Sequence, residues 1–374
     1  MDATGTMTTE DVLVQCAAYG LTDGPRPALG SELLTDDAFS ALARTAFDQR
    51  LSGLLLDVIE DGHLPTTALQ ADLAAGHAAS WYGWTQRVDR EIVDAHDVLA
   101  GAAIPHRVIK GPATASMVYG DSLRRPYSDG DIAVPPERFA DALARLINGG
   151  WRRVTPDKRP GWDARFGQGT GLVRDKSGPE IDLHRMLVHP PAGDVIPNVA
   201  FDHPGQNITI ADVPVPALGP PDALMHAVAH ATFDPPGSKG ALIAARDIAG
   251  FASLVSTDDR RSRARAWGLA AIVENAVSDA SALLGVAARA EHCPIPPEEA
   301  HLLRVHDGVR GLARVVNLPG LRNKASFVFA GLQPKREYLD SFGWTRRSYL
   351  RSYMEGTSRS LRTRRSRLLE VTRQ

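Results

Sequence analysis

Cysteine is nearly absent: only Cys16 and Cys293 occur among 374 residues, far apart and outside any C-x-x-C spacing. That excludes a disulfide framework and a cysteine-based zinc or redox motif, and it fits a reducing cytoplasm. Long apolar runs are missing as well, and none approaches the roughly 20 residues of a membrane-spanning helix. The opening Met1-Asp2-Ala3-Thr4 lacks the basic segment and apolar core of a signal peptide. No Gly-x-Ser-x-Gly elbow and no complete P-loop occur. His292-Cys293 makes no nucleophile pair either, because such pairs are assembled across a fold and not between chain neighbours.

What is present is ordinary for a globular chain. Hydrophobic residues make up 43% and charged residues 23%. This excludes disordered and collagen-like classes and suffices for a sizeable core. At roughly 150 residues per domain, the length predicts two or three domains. The net charge of −2 is unevenly spread: residues 1–100 hold 16 Asp/Glu against 5 Lys/Arg, and residues 335–374 hold 11 Lys/Arg against 4 Asp/Glu. The basic end is either a terminal helix that docks on the acidic front or a contact for RNA, an acidic protein or a membrane surface.

Residues 1–35, rich in Gly, Pro and Thr, predict a short helix and an irregular lead-in. Thr35 caps a helix whose Phe39, Leu42, Ala43 and Phe47 share one face. Val88, Ile92, Ala95 and Leu99 do the same in a second helix over 70–100, with Pro65 between the two. At Ile104 the texture changes. His106-Arg107-Val108-Ile109 reads as a strand, and Lys110-Gly111-Pro112 as its turn into a helix, where proline suits the first position. Ile132-Ala133-Val134 is another strand, followed by a helix through Phe139, Leu143 and Leu146 that ends at Gly149-Gly150. Strands over 171–174 and 180–184 flank a hairpin turn. Residues 190–219 are Pro-rich with one strand-like piece at Ile208-Thr209-Ile210. Residues 319–344 read as loop with an apolar patch at Phe327-Val328-Phe329, and an Arg/Ser-rich amphipathic stretch begins at Arg346. The expected organisation is a helical region over 1–100, a core over 101–219, a helical region over 220–318, and a loop with a basic tail over 319–374.

The strongest chemical signal lies in Tyr127-Ser128-Asp129-Gly130-Asp131-Ile132. Strand alternation puts Asp129 and Asp131 on one face. Carboxylates that close repel, which raises their pKa unless a cation sits between them. Oxygen ligands on one edge suit Mg²⁺. Asp182, on a later strand between Ile181 and Leu183, adds a third acid, and three such acids can hold two metal ions that clamp an in-line phosphoryl displacement. Without metal they crowd like charges, so loss of one is expected to cost the apo protein little. Lys110-Gly111 is the second piece. Glycine lets the backbone approach a phosphate, the following helix start supplies N–H groups, and Lys110 supplies a point charge. On its own, Asp-Gly-Asp also makes a good turn.

In combination these features resemble the nucleotidyltransferase superfamily of the DNA polymerase β type, whose pattern is strand, glycine-containing turn, helix, two acids one residue apart, then a third acid. More narrowly, the chain resembles the bacterial uncharacterised nucleotidyltransferase family. The matching residues are Ile109-Lys110-Gly111-Pro112-Ala113, Tyr119-Gly120-Asp121, the run from Arg125 to Ile132, and Ile181-Asp182-Leu183-His184. Leu224-Met225-His226-Ala227-Val228-Ala229-His230 and the later Arg246-Asp247 fit that family's C-terminal half. The likeness covers roughly residues 36–255.

The resemblance implies an α+β fold: a polymerase-β-like core with a small mixed sheet, flanked by N- and C-terminal helical regions. It also implies a cytoplasmic, metal-dependent enzyme that moves a nucleoside monophosphate from an NTP such as ATP to an acceptor, releasing pyrophosphate. Asp129 and Asp131 would bind both Mg²⁺ ions, with Mn²⁺ as a substitute. Asp182 would complete the ion that activates the acceptor and take its proton. Lys110, Gly111, Ser128 and Arg125 would meet the nucleotide, and His184 would stand behind the metal ligands. The acceptor stays open among a small molecule, a peptide, a protein and an RNA end. Two departures favour the alternative, a catalytically degenerate nucleotide- or partner-binding module. Lys-Gly replaces the superfamily's Gly-Ser, although the narrower family often shows Lys-Gly, and Gly130 replaces an apolar residue between the acids. Glycine weakens a strand, so the acid pair is expected to be mobile.

His226 and His230 stand four apart but lack the Glu and third ligand of a zinc site, and are expected to line the cleft. Arg246-Asp247 reads as a helix ion pair, with a nucleotide contact as the alternative. For the tail, deletion of residues 346–374 is expected to abolish association with RNA or anionic vesicles at low salt. That association should fall steeply as salt rises. Unchanged gel shift or flotation after deletion leaves only the docking role.

Overall fold

The computed structural model describes residues 8–21, 33–233, 240–287, 289–307 and 310–352. Four helices open the chain: α1 (Thr9–Ala18), α2 (Asp36–Asp48), α3 (Ser52–Glu60) and α4 (Ala68–Gly101). Thr8, Thr35 and Thr67 begin α1, α2 and α4, each side-chain oxygen accepting the backbone N–H three residues on. The α4 helix has 34 residues, about 50 Å at 1.5 Å per residue. It therefore serves two cores: Ala74 packs with α2 and α3, whereas Val88, Ile92, Ala95 and Leu99 pack under the sheet.

The strands are β1 (Arg107–Val108), β2 (Asp129–Ala133), β3 (Arg152–Arg153), β4 (Gly169–Val173), β5 (Glu180–His184), β6 (Gln206–Ile210) and β7 (Val213–Ala217). They form one seven-stranded mixed sheet in the order β3-β4-β5-β2-β1-β7-β6. The pairs β2–β5 and β1–β7 are parallel and the remaining pairs antiparallel. After β1 comes a helical turn, α5 (Pro112–Thr114), which runs into a π-helical turn (Ala115–Tyr119). Then α6 (Phe139–Asn148) follows β2, and α7 (Trp162–Phe166) precedes β4. The mixed α/β architecture agrees with the α+β expectation.

The chain finishes with α8 (Pro220–Phe233), α9 (Ala241–Leu254), α10 (Thr257–Trp267), α11 (Ala270–Leu284), α12 (Pro297–Asp307), α13 (Arg310–Asn317), α14 (Leu321–Leu332) and α15 (Arg336–Ser341). The first three helices share one apolar core with α8, α9 and α11, through residues such as Leu42, Leu54, Leu224, Phe251 and Val277. No helix among the described residues is long and apolar enough to cross a membrane.

Two segments differ from expectation. Pro214 and Pro216 argue against a strand, yet β7 forms. Ala211 and Asp212, with φ 45° and 67°, make the tight hairpin turn between β6 and β7. With that two-residue turn, Ile210–Val213 and Ile208–Val215 are the hydrogen-bonded pairs, and the prolines fall opposite Thr209 and Asn207 between them. No ladder bond to β6 needs a proline N–H. The expected loop over 319–344 is instead α14 and α15. Phe327 stacks on Trp162 at 5.1 Å and meets Phe166 edge-on at 5.5 Å, so a tertiary contact overrides the local Gly and Pro signals. The Arg cluster over 359–367 lies outside the described residues.

Gly130 is the residue that seats β2. Strand alternation turns Gly130 and Ile132 toward α4, where a Cβ at 130 would lie 2.6 Å from Ile92 Cγ1 and 2.6 Å from Ile181 Cδ1. The expected mobility of the acid pair is therefore corrected: glycine lets helix and strand close together. Gly130→Ala is expected to lower stability by about 1–3 kcal/mol through overpacking. In urea unfolding, the Gly130→Ala/Ile92→Ala pair should cost less than the sum of its two single changes.

Candidate active site

The site begins with one register. Parallel pairing of β2 with β5 sets Asp129 beside Glu180, Asp131 beside Asp182 and Ala133 beside His184. Because Gly130 and Ile132 face α4, these polar side chains share the opposite face, under α8, α9 and α11. Ligand atoms of Asp131, Asp182 and His184 lie within 4.8 Å of one another. Of the three expected acids, the structure thus gathers two. Asp129 lies outside that group, next to Glu180, and His184 lies within it, hydrogen-bonded to Asp131. On the far side of β5, Gly171 faces Asp182, and a Cβ there would collide with Glu180 Oε1.

Asp131 has a side chain only 1% exposed. Its Oδ1 accepts from His184 Nε2 at 2.9 Å and from Lys110 Nζ at 3.0 Å. Burial raises the pKa of this carboxyl, but Lys110 and His184 outweigh it and hold the group well below the usual range. Asp129 goes the other way, raised by burial and by Asp131. Glu180 is pushed up to about 7 by burial and by Asp182, with which it shares a hydrogen bond. The expected crowding is therefore unevenly distributed. It falls on Asp129 and Glu180, whereas Asp131 is neutralised.

Lys110 reaches Asp131 because of the turn after β1. Gly111 has φ +56° and ψ −112°, a region open to glycine, and Pro112 starts α5. Burial works against the Lys110 charge, but Asp131 and Asp129 raise its pKa, so it remains an ammonium. It also donates to His230 Nε2 at 3.3 Å. His226 is buried, and burial, His230 and Lys110 depress its pKa, so it stays neutral. Both histidines line a cavity of about 700 Å³ together with Lys110, Gly111, Asp129 and Asp131.

Arg125 also borders this cavity, but its donors are engaged. Nε and Nη2 grip the Asp247 carboxylate at 3.0 and 2.8 Å, and Nη1 donates to Pro126 O at 2.8 Å. Tyr119 Oη donates to Asp247 Oδ1 at 2.6 Å. Arg246 turns away from its neighbour and donates to Ala17 O and Tyr19 O. The expected Arg246–Asp247 ion pair is thus corrected, because adjacent helix residues do not face each other.

Arg50 and Glu180 escaped sequence reasoning. Arg50 Nη2 donates to Ser128 Oγ at 2.9 Å, and Ser128 Oγ donates onward to Asp129 Oδ1 at 3.1 Å. Trp84 Nε1 holds Ser128 O at 2.9 Å. Seventy-eight positions separate Arg50 from Ser128, and no local pattern spans such a gap. Glu180 was legible in principle, being in phase with Asp182 on the same strand.

A family model described as uncharacterised nucleotidyltransferase matches residues 35–285, more than half of the chain. The chain belongs to the uncharacterised nucleotidyltransferase family. Among solved structures, the antibiotic-resistance factor ANT(2'')-Ia is similar at 14% identity and a TM-score of 0.35, covering 48% of this chain and 90% of that one. An antigenic nucleotidyltransferase-like protein from Paracoccidioides brasiliensis is similar at 18% identity and a TM-score of 0.33, covering 55% and 94%. No curated protein matches.

In this family member the donor set fits a divalent cation. The buried carboxylate of Asp131 and the half-buried one of Asp182 converge with an imidazole, and His184 Nδ1 is buried without a partner. Carboxylate oxygens suit Mg²⁺ and Mn²⁺, and the imidazole extends the choice to other first-row ions. The uneven charge distribution sets a test on the apo protein. Asp131→Asn is expected to lose about 1.5–3 kcal/mol, the usual worth of hydrogen bonds to a charged group. Asp129→Asn should hold or raise the melting temperature. Equal losses in a paired thermal scan would contradict this assignment.

Proposed function

We propose that this family member transfers a nucleoside monophosphate from an NTP to an acceptor hydroxyl or phosphate. The acceptor oxygen bonds to the α-phosphorus as the bond to the β-phosphate oxygen breaks, and pyrophosphate leaves with that electron pair. The observation that carries this reading is the convergence of Asp131, Asp182 and His184 beside Lys110, where Asp131 and Lys110 line a cavity large enough for a nucleotide. Mg²⁺ or Mn²⁺ held by Asp131 and Asp182, with Asp129 alongside, would neutralise phosphate charge and favour the ionised acceptor.

Lys110 supplies a point charge for the β- and γ-phosphates, and Gly111 lets the backbone approach them. Asp182 takes the acceptor's proton on a carboxylate oxygen. His184 fixes Asp131 by donating its Nε2–H, since a carboxylate only accepts. Residues 101–219 form the catalytic core in this reading, and 220–318 cover the cleft. We place the reaction in the cytoplasm, where NTPs are at hand and both free cysteines stay reduced. A polyanion contact through the basic tail would suit an RNA-end acceptor. Small-molecule, peptide and protein acceptors compete with it.

One observation favours the non-catalytic alternative. Lys110 already neutralises Asp131 and Arg125 is committed to Asp247, as in a site that has given up its metal. Thermal scans with each NTP and Mg²⁺ or Mn²⁺ separate the two readings. A ligand at a hundredfold excess over Kd adds about 2.7 kcal/mol of stability, and Asp182→Asn should lose this metal-dependent shift together with pyrophosphate release. A wild-type protein with no shift for any NTP supports the binding-module reading. Labelled NTP incubated with a cell extract then identifies the acceptor.

A further inference from the structure

We propose that Arg50 is a direct ligand of the triphosphate, acting with Lys110 on the β/γ end of the NTP. The proposal rests on the nucleotidyl-transfer reading and adds a residue from outside the sheet, contributed by the helical region that precedes it.

The first observation is backbone. Arg50 follows α2 with φ +62°. Leu51 N donates to Ala46 O and Arg50 N to Phe47 O, the paired bonds of a Schellman motif. The residue at this place must be left-handed, a conformation that penalises any Cβ. Glycine takes the same place after α3, α6, α10 and α11, and alanine after α4. An arginine here is a poor choice for the helix end, so its side chain carries the reason for its presence.

The second observation is where that side chain goes. It lines the cavity with Lys110, Asp129 and Asp131. Nη2 is tethered to Ser128 Oγ, and the guanidinium lies over Trp81, with Cζ 5.6 Å from the ring centre. Nε is buried without a partner, and Nη1 makes no hydrogen bond among the described residues. No carboxylate lies within ion-pairing distance of Arg50 among the described residues. Burial and the neighbouring Arg125 work against its charge, and the more distant Asp129, Asp131 and Asp247 only partly offset them. A half-buried guanidinium held by its neighbours, with donors to spare and no carboxylate in contact among the described residues, matches a polyphosphate, whose oxygens accept two parallel N–H groups. Arg125 cannot serve in the same way while Asp247 holds it.

Arg50→Gly gives the test, because it relieves the backbone it replaces. Its melting temperature is expected to equal or exceed that of the wild type. In titration calorimetry with Mg²⁺, its affinity for inorganic tripolyphosphate and for NTP should fall at least tenfold, while its affinity for NMP stays within twofold. Arg50→Lys should recover part of the loss. Binding of Mn²⁺ alone should be held or raised, since a cation has been removed from its neighbourhood. Wild-type tripolyphosphate affinity in Arg50→Gly overturns the proposal. A parallel loss of Mn²⁺ affinity also overturns it, by assigning Arg50 to steadying Ser128 and Asp129. A wild-type protein that binds no NTP removes the nucleotidyl-transfer reading and this proposal together. Binding of NTP with equal strength by both proteins removes only the assignment of Arg50.

Discussion

Everything at this site depends on a buried carboxylate that must have a cation and hydrogen-bond donors beside it. Taking a carboxylate out of water costs several kcal/mol even after relaxation, and Asp131 is almost wholly enclosed. Lys110 comes from the turn after β1 and His184 from the end of β5, and both meet the same oxygen. The requirement thus ties three pieces of chain to one atom: a strand, its antiparallel neighbour's exit and its parallel neighbour's last residue. It also explains why neighbouring acids differ so much. Asp129 lacks comparable compensation, and Glu180 leans on Asp182. An anionic ligand that draws Lys110 away from Asp131 leaves a carboxylate in need of another cation, so phosphate and metal binding are physically linked here.

The cavity wall joins the end of α2 with the sheet and with helices α8, α9 and α11 that follow it. Helices α1 to α3 share a core with α8, α9 and α11, and arginines stitch the assembly together. Arg246 holds the carbonyls that end α1, Arg125 holds Asp247 on α9, and Arg50 holds the residue before Asp129. Each of these contacts runs from a helix to the loop or strand start that carries the acids, or to the helix that covers them. Removing one partner of the buried Arg125–Asp247 pair would leave an uncompensated charge, the costly way to break such a contact. The loop from 125 to 128 is therefore held from both sides, by α9 through Arg125 and by α2 and α4 through Ser128.

Sequence reasoning reached the parts of this fold governed by local chemistry. The cap at Thr35, the Lys-Gly-Pro turn, the in-phase acids and the hairpin over 171–184 all follow from periodicity and turn residues. What it missed depends on contacts distant in sequence. The proline-bearing β7 is acceptable only in the alternation set by β6, and α14 forms where Phe327 finds Trp162 and Phe166. The same holds inside the site. That Asp131 and Asp182 meet is a consequence of strand phase plus a parallel register, of which only the phase can be read from the chain. That Arg50 reaches Ser128 could be suspected only from an oddity, an arginine where a helix usually closes with glycine.

Gly130 shows how a departure from a family pattern can be misread from sequence. An apolar residue between two catalytic-type acids normally fills the space behind the strand, so glycine at that point reads as a loosened site. Here the space is already filled from the other side. Ile92 and Ile181 occupy the volume in which a side chain at 130 would have to sit. The strand lies closer to α4 in consequence, and that closeness is what a mobile strand would lack. Interiors are packed nearly as densely as organic crystals, so a missing side chain with no cavity behind it means that a neighbour has moved in. The acids on the front face are thus backed by a tight helix-to-strand contact. The glycine therefore gives no support to a degenerate site, and in the structure the case for one rests on the pairing of Lys110 with Asp131 and of Arg125 with Asp247.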